Sequence, residues 1–439
     1  MLVKLISLIE EIFPIPGRFR PKLPYDVSDL SRLLTAARGE RDSGYLNRPY
    51  MLSAYLRYFL PWNVFRLCRL FSLNTGFPAG TNGQNILTTL SDKDIITDLG
   101  SGPLTLPIAL WIAFPRLRTK KLEFRCVDKS AAALDAGYKL FRALCAVSSS
   151  DASGSVVAAP PSGRESKEID LHSHPDAACA WKIKTIHDSI DAPVRGTPAK
   201  LVTAVNVFNE IYTGMQRSVI LKSAEKSAAL LCKLCDTNGS ILVVEPGNPQ
   251  GGAFISALRA ALLKKGKYPT APCSHNEPCP LPGISTLPGN PGQTRGTKAK
   301  WCHYAFDTDT APEALHTLSV EAGIPKERAT LSFLLAGSHY NTAVDLKRMH
   351  INAAANLKRS HIITASIPAL LQIRIVSGTF PVSFQKTGSG CYGCSERGMV
   401  LVTGNRTQLK SINPGSLLTL PPPDNEQRDP KTGALIIPL

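Results

Sequence analysis

The chain has 439 residues, 43% of them hydrophobic and 19% charged, enough to bury two cores, since single domains usually run to roughly 100–200 residues. No apolar run reaches the roughly 20 residues that a membrane-spanning helix needs, and the acids inside Met1-Leu-Val-Lys-Leu-Ile-Ser-Leu-Ile-Glu-Glu mark an amphipathic helix rather than a secretory signal. The 50 Lys and Arg against 34 Asp and Glu leave a net charge of +16, which favours a polyanionic partner such as nucleic acid; without a long apolar run, no membrane partner is expected. With no export signal, the 11 cysteines read as reduced thiols, some of them metal ligands, in a cytoplasmic or organellar protein. A monomer is expected.

Residues 1–90 read as a helical cap. Apolar positions recur at helical spacing in Leu30-Ser-Arg-Leu33-Leu34 and in Met51-Leu-Ser-Ala-Tyr55-Leu56-Arg-Tyr-Phe59-Leu60, and Pro61 is expected to end that segment. Another helix then begins near Val64, with Cys68 on its apolar face. Residues 91–345 alternate strand and helix, the pattern of a doubly wound, Rossmann-like α/β sheet. The first strand, Ile95 to Leu99, runs into Gly100-Ser101-Gly102-Pro103 and then into an apolar segment of helical length, Leu104 to Phe114. The glycines allow close approach of a ligand and the helix start offers free N–H groups. With an acid two residues ahead and no third glycine, Asp98-Leu-Gly-Ser-Gly is the loop of an S-adenosylmethionine site rather than of a phosphate site. Asp98, Gly100, Ser101 and Gly102 are its candidate cofactor residues.

The second strand, Lys121 to Asp128, ends in an acid placed one βαβ unit beyond Asp98, where a carboxylate accepts hydrogen bonds from a ribose diol. After a helix to about Ala146, residues 148–178 are rich in Ser, Ala, Pro and Gly and read as a mobile insertion, with His172 and His174 as exposed filler. Trp181 to Asp188 is the third strand, and Asp188 would lie beside an adenine ring. Leu201 to Val205 is the fourth. Asn206-Val-Phe-Asn209-Glu210 follows it, at the strand end where ligands of such sheets sit. Asn206 is a candidate cofactor residue there, and Asn209 and Glu210 are the candidate catalytic residues by position. A helix from Met215 to Asp236 carries Cys232 and Cys235, expected to be buried neighbours one turn apart. The fifth strand is Ser240 to Gly247.

Then the composition changes. Ala271-Pro-Cys273-Ser-His275-Asn-Glu-Pro-Cys279-Pro-Leu281 sets two thiols in a proline-rich loop, Lys300-Trp301-Cys302-His303-Tyr304 supplies a third, and Gly388-Ser-Gly-Cys391-Tyr-Gly-Cys394 two more. Loops spanning 271–304 and 388–398 can turn thiolates toward one point. Their spacing suits an iron–sulfur cluster or zinc equally, and His275 and His303 keep a three-cysteine, one-histidine zinc site open. Ala329 to Leu335 reads as a further strand. The pairs Lys347-Arg348 and Lys358-Arg359 fall on one helix face and could follow RNA phosphates. Residues 346–420 are mainly β in pattern, and 421–439 read as a mobile, proline-rich tail.

Asp98-Leu-Gly-Ser-Gly-Pro-Leu-Thr, Asn206-Val-Phe-Asn-Glu-Ile, Val244-Glu-Pro-Gly, Cys273-x-His-x-x-x-Cys279-Pro-Leu, Trp301-Cys-His-Tyr and Leu331-Ser-Phe-Leu together resemble the methyltransferase-like small ribosomal subunit proteins of bacteria and mitochondria. The resemblance spans about residues 28 to 404. It implies a class I methyltransferase fold with a helical cap and a small β-rich C-terminal part. It also implies an S-adenosylmethionine site at Asp98, Gly100, Gly102 and Asp128, and a 4Fe–4S cluster on Cys273, Cys279, Cys302 and Cys394, with Cys391 as the alternative fourth ligand. The implied partner is small-subunit ribosomal RNA, and the implied location in a eukaryote is the mitochondrion. Two functions are consistent with this: a ribosomal RNA methyltransferase, or a non-enzymatic iron–sulfur assembly factor that keeps the cofactor pocket.

Overall fold

The computed structural model describes residues 1–37, 44–72, 86–152, 179–192, 196–210, 216–283, 300–338, 370–382 and 388–439. Helices α1 (Leu2–Ile12), α2 (Leu23–Leu34), α3 (Pro49–Ala54) and α4 (Leu60–Ser72) precede strand β1 (Ile95–Leu99). Helix α5 (Thr105–Ala113), β2 (Glu123–Asp128), α6 (Ala131–Ala152), β3 (Lys182–His187) and β4 (Ala199–Val205) follow. Next come α7 (Arg217–Leu234), β5 (Cys235–Pro246), α8 (Pro249–Leu263), β6 (Tyr268–Ala271), β7 (Tyr304–Asp307), α9 (Glu313–Glu321) and β8 (Arg328–Gly337). The remainder is mostly strand: β9 (Leu371–Ile375), β10 (Phe380–Pro381), β11 (Ser389–Ser395), β12 (Gly398–Gly404), a short α10 (Arg406–Leu409), β13 (Leu417–Leu420) and β14 (Leu435–Pro438).

The doubly wound α/β sheet expected from the sequence is present. Its strand order is β3-β2-β1-β4-β5-β8-β6, with β7 on β8. Strands β1, β2 and β3 pair in parallel, as do β4 and β5, whereas β8 runs antiparallel to β5, β6 and β7. Parallel neighbours need a crossover, and α5, α6 and α7 supply the helical returns.

Two compact units emerge: Met1–Phe65, Leu90–Ile190 and Ala311–Pro325 form one, and Arg66–Thr89, Asp191–Thr310 and Lys326–Leu439 the other. In the first, Trp181 stacks on Phe124 at 4.7 Å and meets Trp111 edge-on at 5.0 Å. Helix α5 is buried along its whole run from Thr105 to Trp111, which is why its sequence is apolar all round rather than on one stripe. Pro61, expected to end a helix, instead sits at the second position of α4. A π turn over Tyr55–Phe59 precedes it, with the Leu60 N–H donating to the Tyr55 carbonyl, so the wider turn absorbs the bond that proline cannot make.

In the second unit a six-stranded sheet, β13-β9-β11-β12-β14 with β10 on β11, packs around Leu371, Ile373, Ile375, Cys391, Val400 and Val402. Three expectations are corrected here. Cys391 and Cys394 stand on strand β11 and not in a loop. Cys235 opens β5 instead of sharing a helix turn with Cys232. The end of the chain, expected as a mobile tail, supplies β14, which pairs in parallel with β12 from Leu435 to Pro438. His172, His174 and the Lys347-Arg348 and Lys358-Arg359 pairs lie outside the described residues.

Candidate functional site

The first unit builds its site at the carboxyl end of β1. Gly100 and Gly102 take φ of 62° and 50°, the left-handed region that glycine enters without a Cβ clash. The Ser101 N–H donates to the Val127 carbonyl at 3.0 Å and the Ser101 hydroxyl donates to Asp98, a carboxylate only 1% exposed. Asp128, closing β2, accepts from the Gly102 N–H and from the Ser130 N–H, each at 2.8 Å. Burial pushes the Asp128 carboxyl up from its usual range, and these two N–H bonds oppose the shift. Asp98, Ser101, Gly102 and Asp128 are thus brought into one hydrogen-bonded turn. Asp188 lies close by in sequence register: its N–H donates to the Asp128 carbonyl at 3.0 Å, and its carboxylate accepts from the Ser189 N–H.

Helix α6 presses on this turn at Gly137. A Cβ there would come within 2.3 Å of the Pro103 carbonyl carbon, so glycine is what lets the helix seat against the loop. Gly137→Ala is expected to cost about 1–3 kcal/mol, the range for overpacking a close contact, and to lower the melting temperature. An unchanged melting temperature would show that the contact yields freely.

The second unit holds the other candidate residues. Asn206 takes φ of 56° and its N–H donates to the Val244 carbonyl at 2.7 Å. Beyond it, Asn209 and Glu210 belong to a 3-10 turn, Phe208–Glu210. Fully buried Glu245 anchors that turn, accepting from the Phe208 and Asn209 N–H groups at 2.9 and 3.0 Å.

Four cysteines line one cavity in this unit: Cys273, Cys279, Cys302 and Cys394, with Arg259 and His275 beside them and a void of about 20 Å³ between. Cys391 does not join them. Side chains alternate faces along a strand, and three positions separate Cys391 from Cys394, so Cys391 is buried in the C-terminal sheet core instead. Burial pushes the Cys273, Cys302 and Cys394 thiols up, while the Arg259 and Arg374 guanidiniums pull Cys273 and Cys394 back toward the thiolate. Both ring nitrogens of His275, a residue 4% exposed, lack a hydrogen-bond partner among the described residues. Burial, then the Arg259 charge, depress its pKa to about 3. His303 stacks on Trp301 at 5.1 Å. Among the described residues, no group of three or more His, Cys, Asp or Glu is set to hold a single metal ion.

Protein contacts brace the same loop. Arg374 of β9 donates to the Pro272 carbonyl at 2.7 Å, and the Ser274 hydroxyl donates to the Gln372 carbonyl at 3.0 Å. The Ser332 hydroxyl donates to the Cys302 carbonyl at 2.7 Å, and the Trp301 indole N–H to the Gly247 carbonyl at 3.0 Å. The Gly283 N–H donates to the Lys300 carbonyl at 3.0 Å.

Residues 96–376, well over half of the sequence, match the model of the mitochondrial small ribosomal subunit Rsm22 family. The chain belongs to the Rsm22 family. Comparison with curated proteins returns no match. Among solved structures, the Rsm22-family chain is similar to a protein described as a class I S-adenosylmethionine-dependent methyltransferase from Listeria monocytogenes. That match has 9% identity, 76% of this chain and 87% of the other, and a TM-score of 0.35. It is also similar to an S-adenosylmethionine-dependent methyltransferase from Geobacter sulfurreducens in complex with S-adenosyl-L-homocysteine, at 10% identity over 70% and 97% of the two chains, TM-score 0.29. A third, from Thiobacillus denitrificans in complex with the same compound, shows 11% identity over 63% and 98%, TM-score 0.28. At these scores the likenesses carry no argument about the site.

Sequence reasoning on this Rsm22-family chain missed Arg259, Arg374 and Glu245 as site residues. Arg259 sits on an apolar helix and Arg374 on a strand, 3% and 4% exposed. A cation inside an otherwise apolar run was the available signal, since lone buried arginines need a counter-charge.

Proposed function

We propose that this Rsm22-family chain binds S-adenosylmethionine in the first unit, holds a 4Fe–4S cluster on Cys273, Cys279, Cys302 and Cys394, and acts on or binds small-subunit ribosomal RNA during ribosome assembly or translation. In a eukaryotic cell its place is the mitochondrion. The observation that carries the reading is the β1–Gly100-Ser101-Gly102–α5 turn with Asp98 beneath it and Asp128 bonded across it. Two left-handed glycines keep the turn bare for a nucleoside, Asp128 keeps lone pairs for a ribose diol beyond its bonds to Gly102 and Ser130, and Asp188 joins the proposed cofactor set; Asn206, also proposed for it, stands in the second unit.

Bound S-adenosylmethionine supplies an electrophilic methyl group. The protein's task is then to position an RNA nucleophile in line with it; Asn209 and Glu210, proposed for that role by their place after β4, belong to the second unit. The residues around the cysteine cavity fit a thiolate-bound centre: four thiols face one void, two guanidiniums offset their charge, and His275 brings unpartnered ring nitrogens. A cluster there would join the cysteine loop to β11 and shape the C-terminal part. Zinc, the alternative centre, is the weaker fit, since among the described residues no group of three or more His, Cys, Asp or Glu is set to hold a single metal ion.

A second reading, a non-enzymatic assembly factor with a retained cofactor pocket, is favoured by one feature. Both oxygens of Glu245, the buried acid next to Asn209, already accept backbone N–H bonds, so it is committed to structure rather than to proton transfer. Crosslinking the protein to RNA in cells, while mapping methyl marks on small-subunit RNA with and without it, separates the two. Crosslinks with a lost mark support methyl transfer, and crosslinks with unchanged marks support binding alone. Absence of small-subunit RNA from the crosslinks would reject both.

A further inference from the structure

The cysteine cavity holds an electrostatic imbalance. Arg259, on α8, is 3% exposed. One terminal nitrogen donates to the His275 carbonyl at 2.6 Å, the side chain lines the same cavity as the four cysteines, and its Nε has no partner among the described residues. Among the described residues it forms no ion pair with a carboxylate, and four cysteines share its cavity. Arg374 approaches the same loop, donating to the Pro272 and Gly415 carbonyls at 2.7 Å each. Removing a guanidinium from water without a nearby anion is strongly unfavourable, and neutral thiols do not supply one. Thiolates bound to a metal centre do.

We infer that Arg259 is a positioning residue for the proposed cluster: its fixed positive charge offsets the ligand thiolates and raises the cluster's reduction potential. This rests on the cluster reading given above. One-electron reduction adds a negative charge to the centre with no bond made or broken, so a cation held in the same cavity stabilises the reduced form more than the oxidised one. Net charge and hydrogen bonds to sulfur are among the levers that set such potentials. Lysine at the position would keep the charge; glutamine would keep bulk and a hydrogen-bond donor but lose it.

The test compares wild-type protein with Arg259→Gln and Arg259→Lys, each purified anaerobically. Iron and sulfide are assayed, and the midpoint potential is read from a dithionite titration followed by absorbance and electron paramagnetic resonance. Arg259→Gln is expected to titrate at a more negative potential than wild type, or to lose its iron, while Arg259→Lys stays loaded near the wild-type potential. Equal loading and equal potentials in all three overturn the inference, as does iron loss from the Lys and Gln variants alike. A wild-type protein without iron brings down the cluster reading and this inference together, whereas an iron-loaded wild type with an unshifted Gln variant brings down this inference alone.

Discussion

Cys302→Ser is expected to leave anaerobically purified protein without iron and to loosen the C-terminal sheet. Cys302 is the one cavity cysteine next to β7, and its backbone is already fixed by Ser332. Serine therefore changes the ligand atom and little else. Without the metal, Arg259 keeps its charge beside the remaining cavity cysteines, and metal binding energy that had favoured the folded state is lost. Direct bonds from Arg374 and Ser274 still tie β9 to the cysteine loop, so the sheet should loosen rather than unfold. Limited proteolysis of residues 370–439 is expected to quicken by about tenfold, the response of an opening equilibrium to a loss of about 1.4 kcal/mol. The wild type should be brown, absorbing near roughly 400 nm. Colourless wild-type protein with stoichiometric zinc would replace the cluster by the alternative metal, and unchanged iron in the variant would remove Cys302 from the ligand set.

The second large effect concerns Gly100→Arg. Gly100 has φ of 62°, and a side chain in that region costs roughly 1–2 kcal/mol before its bulk is considered. The same change places a long cation where the turn must stay open. S-adenosylmethionine affinity is expected to fall by at least about 100-fold, or about 2.7 kcal/mol. Because Asp98 and Asp128 are bonded to Ser101 and Gly102 rather than to Gly100, the chain should remain folded. Circular dichroism matching wild type together with intact affinity would mean that the cofactor binds elsewhere.

The sequence made the first unit legible because its chemistry is local. Asp98, Ser101 and Gly102 lie within five residues, and an apolar strand, a glycine turn and an apolar helix each leave a plain pattern. The C-terminal sheet was harder to read. Gly390-Cys391-Tyr392-Gly393-Cys394 lacks the β-branched residues that mark strands, yet it forms β11. Its glycines answer to packing: a Cβ on Gly393 would meet Ile373 at 2.6 Å, and one on Gly390 would meet Val382 at 2.9 Å. Had that strand been recognised, its two-residue period alone would have separated Cys394 from Cys391. The role of Glu245 is hidden in the sequence, because its partners stand 36 and 37 positions away and no local pattern reveals them. Leu435-Ile-Ile, too short to register as a strand by itself, is held by β12.

Titrating S-adenosylmethionine into the purified wild-type protein, with heat as the readout and S-adenosyl-L-homocysteine as competitor, tests the account most directly. Saturable uptake of one cofactor per chain, displaced by the competitor, is what the turn at Asp98 and Asp128 predicts. A flat titration from folded protein would contradict it.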